Sequence, residues 1–185
     1  MTPAPAPTHV ALLRGINVGT AKRVAMADLR VWLGELGLAN VQTLLNSGNA
    51  VFATKGRTAP ATHAARIQTL LAERLGFAVP VIVKPASAIA ATQAAHPLPH
   101  LADDDSRLML TFTQDDAALA ELAPLASQDW GTERLALTPH AAWLWCPAGI
   151  IDSPLAKATA KRLGERSTTR NWATVQKIHA LLPSA

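Results

Sequence analysis

Apolar positions along the chain fall into short runs and helical stripes, and their order predicts the fold. Residues 9–14 form an apolar run that ends on Arg14, which predicts a buried strand. Over 26–36, Met26, Leu29, Leu33 and Leu36 recur at helical spacing, Trp32 widens the stripe, and Gly37 follows as a stop. Residues 41–45 and 50–54 predict two strands around the turn-forming Asn46-Ser47-Gly48-Asn49, a hairpin. Ala64, Ile67, Leu71 and Leu75 mark a second helix over 61–75, stopped by Gly76, and 77–84 is a strand containing Pro80. The order over 9–84 is βαββαβ, a ferredoxin-like unit whose usual sheet order, 4-1-3-2, leaves the fourth strand on an edge. Pro80 has no N–H to give to a ladder, and an edge strand tolerates that.

The remainder repeats the scheme. Residues 87–95 predict a connecting helix capped by Ser87, and 96–106, with two prolines and Asp103-Asp104-Asp105, a loop. A strand over 107–113 and a helix over 115–123 follow. Residues 134–137 and 141–146 form a hairpin around Thr138-Pro139-His140. Ser153, Pro154 and Gly164 bracket a helix over 154–163 as cap, first-turn proline and stop. A short strand over 165–169 and a last helix over 171–182, with Trp172, Val175, Ile178, His179 and Leu182 on one face, close the chain. The fold class is α+β, a duplicated ferredoxin-like α/β plait (βαββαβ twice) with an extra C-terminal helix. The organisation is an extended tail over 1–8, a first plait over 9–85, a connecting helix and loop over 86–106, and a second plait with the C-terminal helix over 107–185.

Composition narrows the class without naming a reaction. Of the 185 residues 49% are hydrophobic and 16% charged, so a real core is available and a disordered chain is excluded. A single cysteine, Cys146, excludes an internal disulfide and a multi-Cys zinc site. It ends an apolar strand, which predicts burial rather than reactivity. No apolar run approaches a membrane span, and the Pro/Ala-rich start lacks the features of a signal peptide, so the expected location is the cytoplasm. The net charge of +4 is mildly basic, short of a dedicated nucleic-acid arm. Six histidines show no paired metal-ligand spacing. His96 and His100 near Asp103–Asp105 read as a surface loop; no metal and no cofactor are expected. Trp143 and Trp145 share a strand face, which points to packing under a helix.

Several phrases then stand out in order: Leu12-Leu13-Arg14-Gly15-Ile16-Asn17-Val18-Gly19, Met26-Ala27-Asp28-Leu29-Arg30, Ser47-Gly48-Asn49, and Thr168-Thr169-Arg170-Asn171-Trp172 with Thr174 and Lys177. With them the chain resembles the bacterial family of domain of unknown function 1697, from about residue 9 onward. The resemblance implies a duplicated ferredoxin-like plait and no reaction, and it suggests that the polar phrases are the family's shared feature. Departures from the family pattern are Thr20 where a second glycine is usual, Asn46 where glutamine is usual, and Ile151-Asp152-Ser153-Pro154-Leu155 where Gly-Arg-Ser-Lys-Leu is usual. That last loop lacks two cationic positions.

Gly15 and Gly19 flank a turn rich in amide groups with Arg14, Lys22 and Arg23 nearby, and successive N–H groups in such a turn can cradle an anion. Three residues separate the glycines, so this is not a P-loop. In a βαββαβ unit the first strand's end and the hairpin after the second strand lie at one edge of the sheet. Arg14, Gly15, Asn17, Gly19, Asn46, Ser47 and Asn49 are therefore expected to converge as a site for a phosphate or carboxylate. Lys22, Arg170 and Asn171 are possible additions. Thr168-Thr169 offers a cap to the last helix, where Trp172 is expected to be structural and Arg170 and Asn171 to fasten the helix. No residue pair offers a general base, so catalysis has no assigned residue. The expected partner is a small anionic ligand. The alternative is a protein-interaction or assembly module whose polar phrases fasten loops. A lower alternative is nucleic-acid backbone binding, against which the absence of an aromatic platform on the first sheet argues. Oligomeric state is not legible.

Overall fold

β1 (His9–Leu13) organises the first half of the chain. Alternate side chains of a strand point to opposite faces, so Ala11 and Leu13 share one face and Val10 and Leu12 the other; all four are buried. β1 pairs antiparallel with β3 (Asn49–Ala53), Leu12 opposite Asn49, and with β4 (Val81–Pro85), Leu13 opposite Val81. β2 (Ala39–Leu44) pairs with β3, giving a four-stranded antiparallel sheet of order β2-β3-β1-β4. α1 (Met26–Glu35) and α2 (Pro60–Leu75) carry the apolar stripes legible in the sequence. Their Leu29, Leu33, Ala64, Ile67 and Leu71 share one core with Ala11, Leu13, Ala50, Phe52 and Val83 of the sheet. Gly76 ends α2 in the left-handed conformation at φ 74°, and its N–H donates to the Ala72 carbonyl.

The second half repeats this layout on β5 (Leu108–Thr113), β6 (Arg134–Thr138), β7 (Ala141–Trp145) and β8 (Ser167–Asn171), in antiparallel order β6-β7-β5-β8. Before the second sheet comes α3 (Ala86–Ala94). Between β5 and β6 lie a 3₁₀ segment, Asp116–Leu122, and the single turn α4 (Ala123–Ala126). Between β7 and β8 lie α5 (Pro154–Leu163) and a 3₁₀ turn, Gly164–Arg166. α6 (Trp172–His179) follows β8. Leu119, Leu122, Leu155 and Leu163 pack on Met109, Ala142 and Leu144 as the core of this half. The computed structural model describes residues 5–19, 22–101 and 104–183. Over these the protein is mixed α+β, with two four-stranded antiparallel sheets and six α-helices. It divides into two compact units, Met1–Ser87 with Ile178–Ala185, and Ala88–Lys177. No helix among the described residues is long and apolar enough to cross a membrane.

Several local expectations need correction. β4 is an edge strand, but it starts at Val81, so Pro80 lies just before the ladder. Its missing N–H is then not needed, while its carbonyl accepts from the Arg14 N–H at 2.8 Å. The helix expected over 115–123 is 3₁₀, capped by Asp115 through the Ala117 N–H. Ser87 does not cap α3, which begins one residue earlier directly after Pro85. The last strand starts at Ser167 because Gly164–Arg166 is still turning, and α6 stops at His179. Of the expected tail, residues 1–4 lie outside the described residues.

Candidate functional site

Leu12 sits opposite Asn49 in the β1–β3 ladder, so the loop leaving β1 and the β2–β3 turn meet at one end of the first sheet. The Leu13 N–H donates to the Gly48 carbonyl at 2.8 Å. Asn17 then ties three segments together. Its Nδ2 donates to the Asn46 carbonyl at 2.7 Å and to the Val24 carbonyl at 2.9 Å, and its Oδ1 accepts from the Val24 N–H at 2.9 Å. Its own N–H donates to the Lys22 carbonyl at 3.1 Å. Asn49, 1% exposed, donates from Nδ2 to the Leu44 carbonyl and to Ser47 Oγ. The loop folds back on itself through left-handed residues, Asn17 at φ 55° and Lys22 at φ 50° with Gly15 and Gly19. On the hairpin, Leu45 at φ 57° and Gly48 do the same. Asn accepts this conformation readily; Leu does not.

Arg14, Gly15, Asn17, Gly19, Asn46 and Ser47 therefore belong to two touching loops, and Asn49 opens β3 beside them. Asn17 and Asn49 spend their amides on the loops themselves. Gly15 and Gly19 are exposed, and among the described residues a Cβ on either would meet nothing within 4 Å. Beside them lies a shallow hollow of about 320 Å³ lined by Asn17, Arg23, Val24, Ala25 and Asn46. Arg23 and the Val24–Ala25 backbone were not among the expected site residues. They reach the site because Asn17 clamps Val24, a fold-back that residue spacing does not reveal. Ala25 is also the N-cap of α1 and has no side chain with which to cap it. Lys22 Nζ lies 5.8 Å from the Phe77 ring centroid, a cation–π distance.

Arg170 and Asn171 sit in the other unit, on β8. Asn171 Oδ1 accepts from the Thr174 N–H at 2.9 Å, so Asn171 itself caps α6. The cap expected from Thr168-Thr169 is displaced because those residues are paired in the ladder, opposite Phe112 and Thr111. Arg170 is buried and donates from Nη1 to Thr168 Oγ1 and to the Thr169 carbonyl, both at 2.9 Å. Burial lowers its pKa to about 10, so it remains charged at neutral pH. The Trp172 indole, with the Gln176 amide oriented to suit the network, donates to Gln176 at 2.9 Å while Gln176 donates to Asp105 Oδ2 at 3.0 Å. Trp172, Trp143 and His96 form one aromatic cluster with centroids 4.9–5.1 Å apart. Trp143 thus packs on the face opposite Leu144, which joins the helical core.

The corresponding end of the second sheet holds a pair the sequence conceals: His140 Nδ1 lies 2.7 Å from Asp116 Oδ2 across 24 residues of chain. Among the described residues no three His, Cys, Asp or Glu side chains converge as a metal set. Asp103, in the loop with His96 and His100, lies outside the described residues. Cys146 is buried at 3.4 Å from Ser153 Oγ, and burial pushes its thiol pKa up.

Residues 7–143 match the family described as "Protein of unknown function (DUF1697)". The chain belongs to that family. A solved structure titled as that of the conserved bacterial protein SP0830 from Streptococcus pneumoniae is similar to the family member described above. The two are 24% identical, with a TM-score of 0.78 over 97% of this chain and 100% of that one. That likeness is one of fold. Among curated proteins none matches the chain.

Proposed function

We propose that this protein binds a small anionic ligand, phosphate- or carboxylate-bearing, at the end of the first sheet. The observation that carries the reading is the open hollow lined by Asn17, Arg23, Val24, Ala25 and Asn46. In this reading Asn17, Ser47 and Asn49 build the loops, while Arg14, Lys22 and Arg23 supply positive charge. Gly15 and Gly19 leave the backbone open to close approach, and Asn46 orients the ligand. Arg170 and Asn171 fasten β8 to α6, a role supported by the Asn171 cap and the Arg170 bonds to Thr168 and Thr169. Each half is read as a ferredoxin-like plait, with plaits over 9–85 and 107–185 joined by 86–106, and the protein as cytoplasmic.

The test is a thermal-shift and calorimetric screen over inorganic phosphate, nucleotides and sugar phosphates. A ligand that binds should lose affinity in Arg23→Ala and in Arg14→Ala, each by about 1.5–3 kcal/mol, the scale of a charge-assisted hydrogen bond. Binding unchanged in both variants would refute the site. The second reading, an assembly module whose polar phrases only fasten loops, is favoured by one observation: the Asn17 amide is wholly engaged by backbone groups. It predicts no shift with any anion and a loss of stability in Asn17→Ala.

A further inference from the structure

We propose that His9 and His63 form an acid-sensitive latch that holds the start of α2 on the sheet of the first unit. The two imidazoles and Phe52 make a closed cluster. His9 stacks on Phe52 with centroids 5.6 Å apart, His63 meets the His9 ring edge-on at 5.2 Å, and His63 meets Phe52 edge-on at 5.7 Å. His63 is 3% exposed, and its Nε2 is buried without a hydrogen-bond partner among the described residues. A neutral ring tolerates that place as an aromatic. A charged ring does not, because its second N–H would be left without an acceptor in an apolar setting.

The position along α2 adds to this. The helix begins at Pro60, so His63 lies in the first turn, where the helix dipole disfavours positive charge. That turn has no acidic residue, and Ala59 at the N-cap gives no side-chain hydrogen bond. Packing of His63, Ala64 and Ile67 is what anchors it. Ionisable neighbours offer no relief. Arg66 follows His63 on α2, and Lys55 and Arg57 precede the helix. β2 and β3 carry no ionisable residue, while Lys84 of β4 pairs opposite Val10 on the other sheet face. On α1, Glu35 is held by Arg74 at 2.5 Å, and Asp28 lies in the helix's own first turn.

Burial lowers the pKa of both rings below 6.5; the other ring adds to the effect on His9, and Arg66 to that on His63. The sign follows from linkage. The folded pKa lies below the unfolded one, so the latch is intact above about pH 6.5 and weakens as pH falls through that value toward the folded pKa. Protons taken up on opening favour a state in which the first turns of α2 have left His9 and Phe52.

Amide hydrogen exchange of the intact chain tests this, read as protection factors from about pH 7.5 to about pH 5, together with NMR titration of the histidine rings. The expected result is a fall in protection of about tenfold or more that starts in the first turns of α2, with His63 staying neutral until those turns open. In His63→Phe, which keeps the ring and removes the charge, the step should vanish. Retention of the same step in that variant would overturn the latch. If that variant does not fold, the wild-type titration decides alone. A His63 ring that gains its proton at or above pH 6.5, with α2 protection unchanged, overturns the proposal; a ring that gains it only with opening supports it.

Discussion

A Cβ placed on Gly48 would sit 2.7 Å from Ile16 Cδ1 and 2.8 Å from Leu13 Cβ, at a φ of 80°. One placed on Gly15, at φ 68°, would meet nothing within 4 Å among the described residues. Gly48 is therefore required by packing as well as by backbone conformation, and Gly15 by conformation alone. Gly48→Ala should cost about 2–4 kcal/mol in urea unfolding, and Gly15→Ala about 1 kcal/mol. Leu45 presents the reverse case. It is held at φ 57° with 45% of its surface exposed, an arrangement that burial does not repay. Leu45→Asn should raise stability by about 0.5–1 kcal/mol, because Asn tolerates the left-handed region. No change, or a loss, in the unfolding midpoint would mean that Leu45 makes a contact worth keeping.

Helix starts show what can be read at the element scale. Ser153 caps α5 through the Ala156 N–H, with Pro154 in the first turn, as the local sequence indicates. A second acceptor arrives from far along the chain: Glu133 Oε2 takes the Leu155 N–H at 3.0 Å and is itself buried. An anion-accepting helix end is thus filled by the protein's own carboxylate. Ser153→Ala should cost about 1 kcal/mol and Glu133→Ala about 1–3 kcal/mol, since the latter strands a buried donor. Asn171→Ala removes the α6 cap and should also cost about 1 kcal/mol. Equal midpoints for wild type and all three variants would show that these ends are satisfied in some other way.

Taken as a whole, the molecule distributes its probes unevenly between its two units. Trp130, Trp143, Trp145 and Trp172 and the buried Cys146 lie in one unit, and Trp32 in the other. Tryptophan emission and Cys146 labelling by a thiol reagent should therefore follow the same urea transition. In the folded state the thiol should label slowly at neutral pH, because its pKa is raised. Labelling that runs ahead of the emission change would mean that Cys146 is reached by local opening.

The strand and helix order was written into the chain by apolar period, because period 2 and period 3.6 depend only on near neighbours. The loop after β1 and the β2–β3 turn meet through Asn17 and Asn46 and through Leu13 and Gly48, because β1 and β2 both pair antiparallel with β3 and so run the same way. Local competition moved the boundaries: Pro80 steps out of β4, and residues 116–122 tighten to 3₁₀. What the sequence could not decide was how each polar group is spent. Asn17 spends its Oδ1 on Val24 and its Nδ2 on Asn46, seven and 29 residues away. Arg23 enters the hollow, Glu133 reaches α5, and His63 meets His9 for the same reason. Hydrogen bonds and ring contacts act over about 3 to 6 Å in space, and only the tertiary fold decides which distant residues come that close.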